Sequence, residues 1–176
     1  NPEYQDFRGV KPALTDSEYD LIVACLRNTP LDSSIIEVNP EEGGLTALIC
    51  REHESVVGRR YCVGLPDSDT VRRWVKHAVE AKYLLKVTVV YGTPLPALVD
   101  LQEHFVSERV NLAIINGDST LADTLAIAAT CLTILPSGGL MAVIMPSSTV
   151  PTLVQILSKL LKETQRSGRV ITGLKP

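Results

Sequence analysis

The stretch from Ser34 to Cys50 limits the fold of this chain more than any other part of the sequence. It joins an apolar run that contains Ile35 and Ile36, a polar turn that ends in two adjacent glycines, and a run with helical spacing. β-Branched residues favour a buried strand, and glycine lets the backbone turn sharply into a helix. The stretch therefore predicts the opening strand–turn–helix unit of a doubly wound α/β fold.

Further strands and helices alternate along the rest of the sequence. Short apolar runs predict strands over 60–65, 86–91, 110–115 and 140–145, and a helical pattern follows each of them. The last helix is predicted to end at Gly168, which leaves 169–172 as a short final strand and no terminal antiparallel hairpin. The alternation predicts a Rossmann-like three-layer sandwich, with a mainly parallel sheet between two layers of helices.

The 176 residues are predicted to form one domain, 1–176. Its first part, 1–14, lacks any apolar periodicity and contains Pro2, Gly9 and Pro12, so we expect an extended N-terminal arm. Thr15 and Glu18 then have the spacing of a capping box, which predicts the start of a helix.

Charge and hydropathy limit the partners. The formal net charge is −3, so no global basic field would attract nucleic acid or an anionic membrane. The longest strongly apolar stretch, Leu125 to Leu135, is too short to span a bilayer. We therefore expect neither a nucleic-acid partner nor a membrane partner.

The cysteines and histidines show no metal-binding pattern. The four cysteines stand singly among apolar neighbours, without the close pairs of a zinc site or a CxxC motif. They are Cys25, Cys50, Cys62 and Cys131. We expect four buried reduced thiols and a cytoplasmic location. The three histidines have no partner at ligand spacing, and no metal site is predicted.

The segment 110–144, VNLAIINGDSTLADTLAIAATCLTILPSGGLMAVI, resembles the class I S-adenosylmethionine-dependent methyltransferases, particularly their small O-methyltransferase-like group. That family typically carries there a strand ending in I-D-G-D-H, a helix, an L-x-P-G-G turn and a buried strand. The likeness extends over 34–146. It implies S-adenosylmethionine as cofactor, bound between the first and fourth strands, and direct methyl transfer to a small-molecule substrate.

The first family motif is an acidic residue at the end of the first strand followed by a glycine-rich turn. Glu37 matches the acid, and Gly43 and Gly44 match the end of the turn, whereas Asn39 stands where the family has glycine. The resemblance assigns these four residues to the methionine end of the cofactor.

The next two family positions follow the second and third strands. The family has an acid there that accepts both ribose hydroxyls, and this chain has Pro66. Asp67, one residue later, is predicted to cap the following helix instead. Gly92 and Thr93 match the loop that contacts adenine in the family.

The fourth strand leads into the family's acidic segment. The resemblance places Asn116 and Asp118 beside the cofactor and makes Asp118 the one acid–base candidate, with helix capping as its alternative role. Ser119 stands where the family often has histidine.

Two functions remain open at this point. The first is a small-molecule methyltransferase. The second is a binding or assembly module that keeps the fold but has lost the cofactor, because departures at Asn39, Pro66, Asn116 and Ser119 fall where the family has its chemistry. The helix over 121–135, rich in small residues, would allow a homodimer interface, or it is simply buried on the sheet.

Overall fold

A computed structural model describes residues 2–54, 58–117 and 120–176. The described residues form seven strands: β1 (Ser34–Val38), β2 (Arg60–Leu65), β3 (Thr88–Tyr91), β4 (Val110–Asn116), β5 (Leu140–Ile144), β6 (Lys162–Ser167) and β7 (Val170–Leu174). They also form six α-helices: α1 (Asp16–Arg27), α2 (Gly44–Glu52), α3 (Ser68–Glu80), α4 (Pro94–Leu101), α5 (Leu121–Ile134) and α6 (Val150–Leu160). Short 3-10 helices lie at Pro2–Phe7, Leu84–Lys86, Gln102–Val106 and Ser147–Thr149.

The strands pair into one sheet of order β3-β2-β1-β4-β5-β7-β6. β1 to β5 run parallel to one another, while β7 is antiparallel to both β5 and β6. The chain winds outward from β1 to β3 and then returns to β4 on the other side of β1. The doubly wound, mainly parallel α/β sandwich predicted from the sequence is confirmed.

Successive side chains of the central strands point to opposite faces of the sheet, so the hydrophobic core is divided between the two faces. Ile35 packs with α1 and α2, whereas Ile36 and Val38 pack in a second cluster with α4, α5 and α6. Trp74 of α3 is fully buried on the first side. β1, β2, β4 and β5 are thus buried on both faces, as β-branched central strands require, whereas β3 at the sheet edge is only partly buried.

The carboxyl-terminal region differs from the prediction. The last helix ends at Leu160, not at Gly168, and an antiparallel hairpin of β6 and β7 follows. The polar side chains of β6 misled the prediction, because they are good helix formers. They are exposed here since β6 is the edge of the sheet.

The amino-terminal region also differs. The extended arm expected over 1–14 contains the 3-10 helix Pro2–Phe7 instead. Tyr4 and Phe7 are buried, and the Tyr4 ring stacks on Tyr19 of α1 with centroids 4.9 Å apart. Two aromatic side chains supply enough apolar surface to hold the segment on α1 without any regular pattern.

All four cysteines are free and buried, as expected. No helix within the described ranges is long and apolar enough to cross a membrane. α5 packs against β4 and α4 and buries Ile127, Ala128 and Cys131.

Candidate functional site

The candidate site lies where the carboxyl ends of β1 and β4 meet. The strand order reverses between these two neighbours, and such a switch point leaves a crevice in which α/β proteins bind ligands. The loop after β1 carries Asn39 to Gly43, and β4 ends at Asn116. The structure therefore brings both halves of the predicted cofactor site to one edge.

The loop after β1 has an unusual backbone. Asn39 (φ 60°), Glu41 (φ 50°) and Gly43 (φ 91°) all adopt left-handed conformations. Asparagine tolerates this region better than most residues because its short polar side chain bonds locally. The loop thus keeps a left-handed turn at position 39 without the glycine expected from the family.

The side chains of Asn39 and Asn116 bridge the crevice. Nδ2 of Asn39 donates to the Asn116 carbonyl at 3.4 Å, and Nδ2 of Asn116 donates to the Asn39 carbonyl at 3.3 Å. We call this reciprocal pair the amide bridge. It joins the carboxyl ends of β1 and β4 at the point where the strand order reverses.

The N-terminal segment closes the same edge from above. The Lys11 carbonyl accepts hydrogen bonds from the backbone amides of Glu42 and Gly44, each at 3.2 Å. A Cβ atom at Gly44 would lie 2.8 Å from the Val10 carbonyl oxygen, so only glycine permits this approach. These amides at the start of α2 are therefore already satisfied within the chain.

Arg169, in the turn between β6 and β7, fixes this segment. Its guanidinium donates to the Ala13 carbonyl at 2.8 Å, and its backbone amide donates to Glu18 Oε1 at 2.9 Å. Glu18 also completes the predicted capping box with Thr15. The hairpin that the sequence did not predict thus holds the N-terminal segment over the carboxyl edge.

Glu37 lies inside the core, on the side of the sheet that faces α2 and α3. Its Oε1 accepts from the Thr46 hydroxyl at 2.5 Å and from the Cys62 thiol at 3.5 Å, whereas Oε2 has no partner among the described residues. Burial raises the pKa of Glu37 to about 7. Glu37 therefore positions the first turn of α2, and its predicted contact with a cofactor remains a prediction.

The end of β2 offers no acid for a ribose. Pro66 lacks a side-chain acceptor, and Oδ1 of Asp67 accepts from the Thr70 amide at 2.8 Å as the N-cap of α3. These bonds from Thr70 lower the pKa of Asp67. The helix-capping role predicted for Asp67 is confirmed.

Gly92 and Thr93 connect β3 to α4. The Gly92 amide donates to the Leu65 carbonyl at 3.0 Å, and Thr93 is exposed at the start of α4 without a capping bond from its side chain. A Cβ at Gly64 would lie 2.7 Å from Pro94 Cα, so β2 and α4 approach closely here. Contact of Gly92 and Thr93 with a cofactor stays a prediction.

The loop after β1 also contacts Tyr83 and, through it, His77, two residues that the sequence did not point to. The Tyr83 hydroxyl donates to the Gly43 carbonyl at 3.2 Å and lies 2.9 Å from His77 Nδ1. Burial lowers the pKa of His77 and raises that of Tyr83. Tyr83 and His77 are distant from Gly43 in sequence, so no spacing pattern could reveal them.

Two cavities flank the amide bridge. One, of 370 Å³, is lined by Asn39, Pro66 and Arg73, and the other, of 310 Å³, by Asn116 and residues that follow β5. Lys11 and Glu41 line both cavities and stand between them. A larger groove of 660 Å³ lies between α2 and α3, away from this edge.

Asp118, the predicted acid–base residue, and Ser119 lie outside the described residues. No cluster of three or more metal-ligating side chains occurs within 2–54, 58–117 and 120–176.

Among the described residues, this edge differs from the S-adenosylmethionine contacts that the resemblance implies. The amide bridge links Asn39 and Asn116 to each other, and the Lys11 carbonyl accepts from amides of the loop that would approach the cofactor. The position that should receive the ribose hydroxyls is Pro66.

Solved structures share this architecture. An O-methyltransferase family protein from Burkholderia thailandensis superposes with a TM-score of 0.60 at 12% identity, over 89% of this chain and 55% of its own. A proposed O-methyltransferase from Klebsiella pneumoniae reaches a TM-score of 0.70 at 14% identity, over 99% of this chain and 87% of its own. A proposed methyltransferase from Streptococcus mutans in complex with SAH reaches 0.64 at 15% identity, over 93% of this chain and 100% of its own.

The chain thus has the fold of the class I S-adenosylmethionine-dependent methyltransferases. It spans just over half of the Burkholderia protein. Neither a protein-family model nor a curated protein sequence matches it.

Proposed function

We propose that this chain is a methyltransferase-fold domain that no longer binds S-adenosylmethionine and serves as a binding or assembly module. The amide bridge between Asn39 and Asn116 carries the proposal, because it commits the side chains at the switch point to each other's backbone rather than to a ligand. Fold alone does not imply function, so the site decides.

Three further features support this proposal. Lys11 satisfies two amides at the start of α2, which a bound ligand would otherwise use. Two carboxylates, Glu41 and Glu42, follow the bridge in the same loop and would repel a carboxylate placed there. Glu37, the residue that matches the family's acid, has its hydrogen bonds inside the core.

A second candidate is a methyltransferase that acts on a small molecule through a reshaped site. The two cavities on either side of Lys11 and Glu41 favour it, because a cofactor and an acceptor would need adjoining spaces at this edge. Cavities of 300 Å³ and more are typical of small-molecule sites. Under either candidate, the four free buried thiols suit a reducing compartment such as the cytoplasm, and we propose neither a nucleic-acid partner nor a membrane partner.

Thermal unfolding with and without ligand separates the two candidates. A ligand at about 100 times its Kd stabilises the folded state by about 2.7 kcal/mol, which raises the melting temperature by several degrees. We expect no shift with S-adenosylmethionine or S-adenosylhomocysteine for the natural sequence. A reproducible shift with both ligands would support the methyltransferase instead.

A restoring variant serves as the matched test. Asn39→Gly with Pro66→Asp removes half of the amide bridge and returns two family residues, so we expect it to gain a ligand-dependent shift. Asn28→Gly, at an exposed helix C-cap remote from the crevice, is the control for a change of asparagine to glycine. The natural chain could show a ligand-dependent rise in melting temperature that is no larger in the restoring variant. That result would contradict the role given to the amide bridge.

A further inference from the structure

The two edges of the sheet differ in how they are protected. β6, at one edge, carries Lys162, Glu163 and Arg166, and its pairing with β7 is interrupted by a register shift at which Glu163 has φ 51°. Charged side chains and bulges are the devices by which edge strands avoid pairing with other chains. The β6 edge is therefore guarded against addition of another strand.

The β3 edge differs from the β6 edge in charge: its pairing with β2 also shifts register, between Val63 and Leu65, but the strand itself carries no charged side chain. Thr88–Tyr91 contains neither a charged residue nor proline, and among the described residues β3 pairs only with β2. Val87, just before it, has an extended backbone (φ −129°, ψ 152°) that prolongs the strand. A strand with one neighbour leaves a row of unpaired N–H and C=O groups, which another strand satisfies best.

Apolar side chains border this open edge. Leu85 is 98% exposed in the 3-10 helix that precedes β3, and Tyr91 is 60% exposed at the end of the strand. Large exposed apolar side chains at both ends of an uncharged edge strand favour an interaction surface here. Because β3 carries no charged side chain, two copies of β3 can lie side by side without electrostatic repulsion between them.

We propose that β3 pairs with β3 of a second copy of this chain, antiparallel across a two-fold axis, so that two sheets join into one. An axis perpendicular to the sheet and centred on Val89 places Tyr91 opposite the partner's Val87 and Thr88 opposite the partner's Val90. An aromatic residue opposite a β-branched residue is among the more favourable cross-strand pairs. The contact is isologous, and it closes as a dimer.

The proposal gives the assembly module a partner, and it stands independently of whether a cofactor binds. The β3 edge and the amide bridge involve different residues, so a failed dimer test leaves the ligand question untouched, and the reverse also holds. It also differs from an interface at α5, one of the two roles left open for that helix, which packs against β4 and α4.

Analytical ultracentrifugation of the full chain tests the proposal. At about 100 µM, a concentration that populates even a weak homodimer, we expect a mass near twice the chain mass of 19.1 kDa. Thr88→Lys with Tyr91→Lys places like charges along both copies of the edge and should weaken association at least about tenfold. Both side chains are exposed, so the variant should fold, and its melting curve verifies this.

Charge reversal makes the test specific. The Thr88→Glu/Tyr91→Glu variant should also be monomeric, and an equimolar mixture of the Lys and Glu variants should recover the dimer mass. Gln165→Lys on β6 is the matched control and should leave association unchanged. A monomeric natural chain at about 100 µM, or a dimer that the Lys variant does not weaken, would overturn the proposal.

Discussion

Asn39 and Asn116 each donate a side-chain amide to the backbone carbonyl of the other, across the gap between β1 and β4. The two residues are 77 positions apart in sequence and adjoin the point where the strand order reverses. A family position normally occupied by glycine thus carries a side chain that ties the sheet's two halves together.

Substitutions at position 39 separate the backbone strain from the hydrogen bonds. Asn39→Ala loses an amide donor and retains φ 60°, so we expect a loss of about 2 kcal/mol of unfolding free energy. Asn39→Gly loses the same donor without the steric penalty and should be about 1 kcal/mol more stable than the alanine variant. Chemical denaturation of both variants measures the difference. Equal stabilities would show that the left-handed conformation is not retained.

Gly43 allows Tyr83 to reach the loop, and a larger residue would not. A Cβ atom at Gly43 would overlap the Tyr83 hydroxyl, and Gly43 also has φ 91°. Gly43→Ala should therefore destabilise the fold by about 3 kcal/mol, from backbone strain and overpacking together. Gly138→Ala is the matched control, because Gly138 has φ 80° and nothing within 4 Å of an added Cβ. Similar losses at the two sites would contradict the contact with Tyr83.

Glu37 should make stability depend on pH. Its pKa is about 7 in the folded chain against an ordinary value of 4.5, so the folded state keeps a proton that the unfolded state releases between these values. Stability should therefore be full below about pH 4.5 and fall as pH rises to about 7, by on the order of 3 kcal/mol.

Glu37→Gln removes this titration. The difference in unfolding free energy between the variant and the natural chain should move in the variant's favour as pH rises from about 4.5 to about 7, and then level off. Urea denaturation at several pH values measures it. A difference that is constant over this range would show that Glu37 does not titrate in the fold.

The sequence predicted the central fold because its signals are local. β-Branched runs such as Ile35 and Ile36, each followed by a turn and a helical stripe, identify parallel strands without knowledge of their partners. The β6–β7 hairpin escaped this reasoning because β6 is an exposed edge whose polar residues lack strand alternation. Tyr4 and Phe7 likewise pack through tertiary contacts that no periodic pattern records.

The sequence predicted where the residues of the candidate site lie in the fold, but not which hydrogen bonds they make. The resemblance located Asn39 and Asn116 correctly at the carboxyl edge, yet their reciprocal bonds depend on the register between β1 and β4. The Lys11 carbonyl is a backbone group, and its contact with α2 depends on the path of the N-terminal segment. Such contacts have no signature in residue types or spacing.

Isothermal titration of the natural chain with S-adenosylhomocysteine tests the central claim most directly. The proposed closure of the crevice by Asn39, Asn116 and Lys11 predicts no saturable heat up to about 1 mM ligand, a concentration at which binding of even about 100 µM affinity would be visible. The Asn39→Gly/Pro66→Asp variant, titrated in parallel, is expected to bind. Saturable one-to-one binding by the natural chain in the micromolar range would contradict the claim and identify the edge as a working cofactor site.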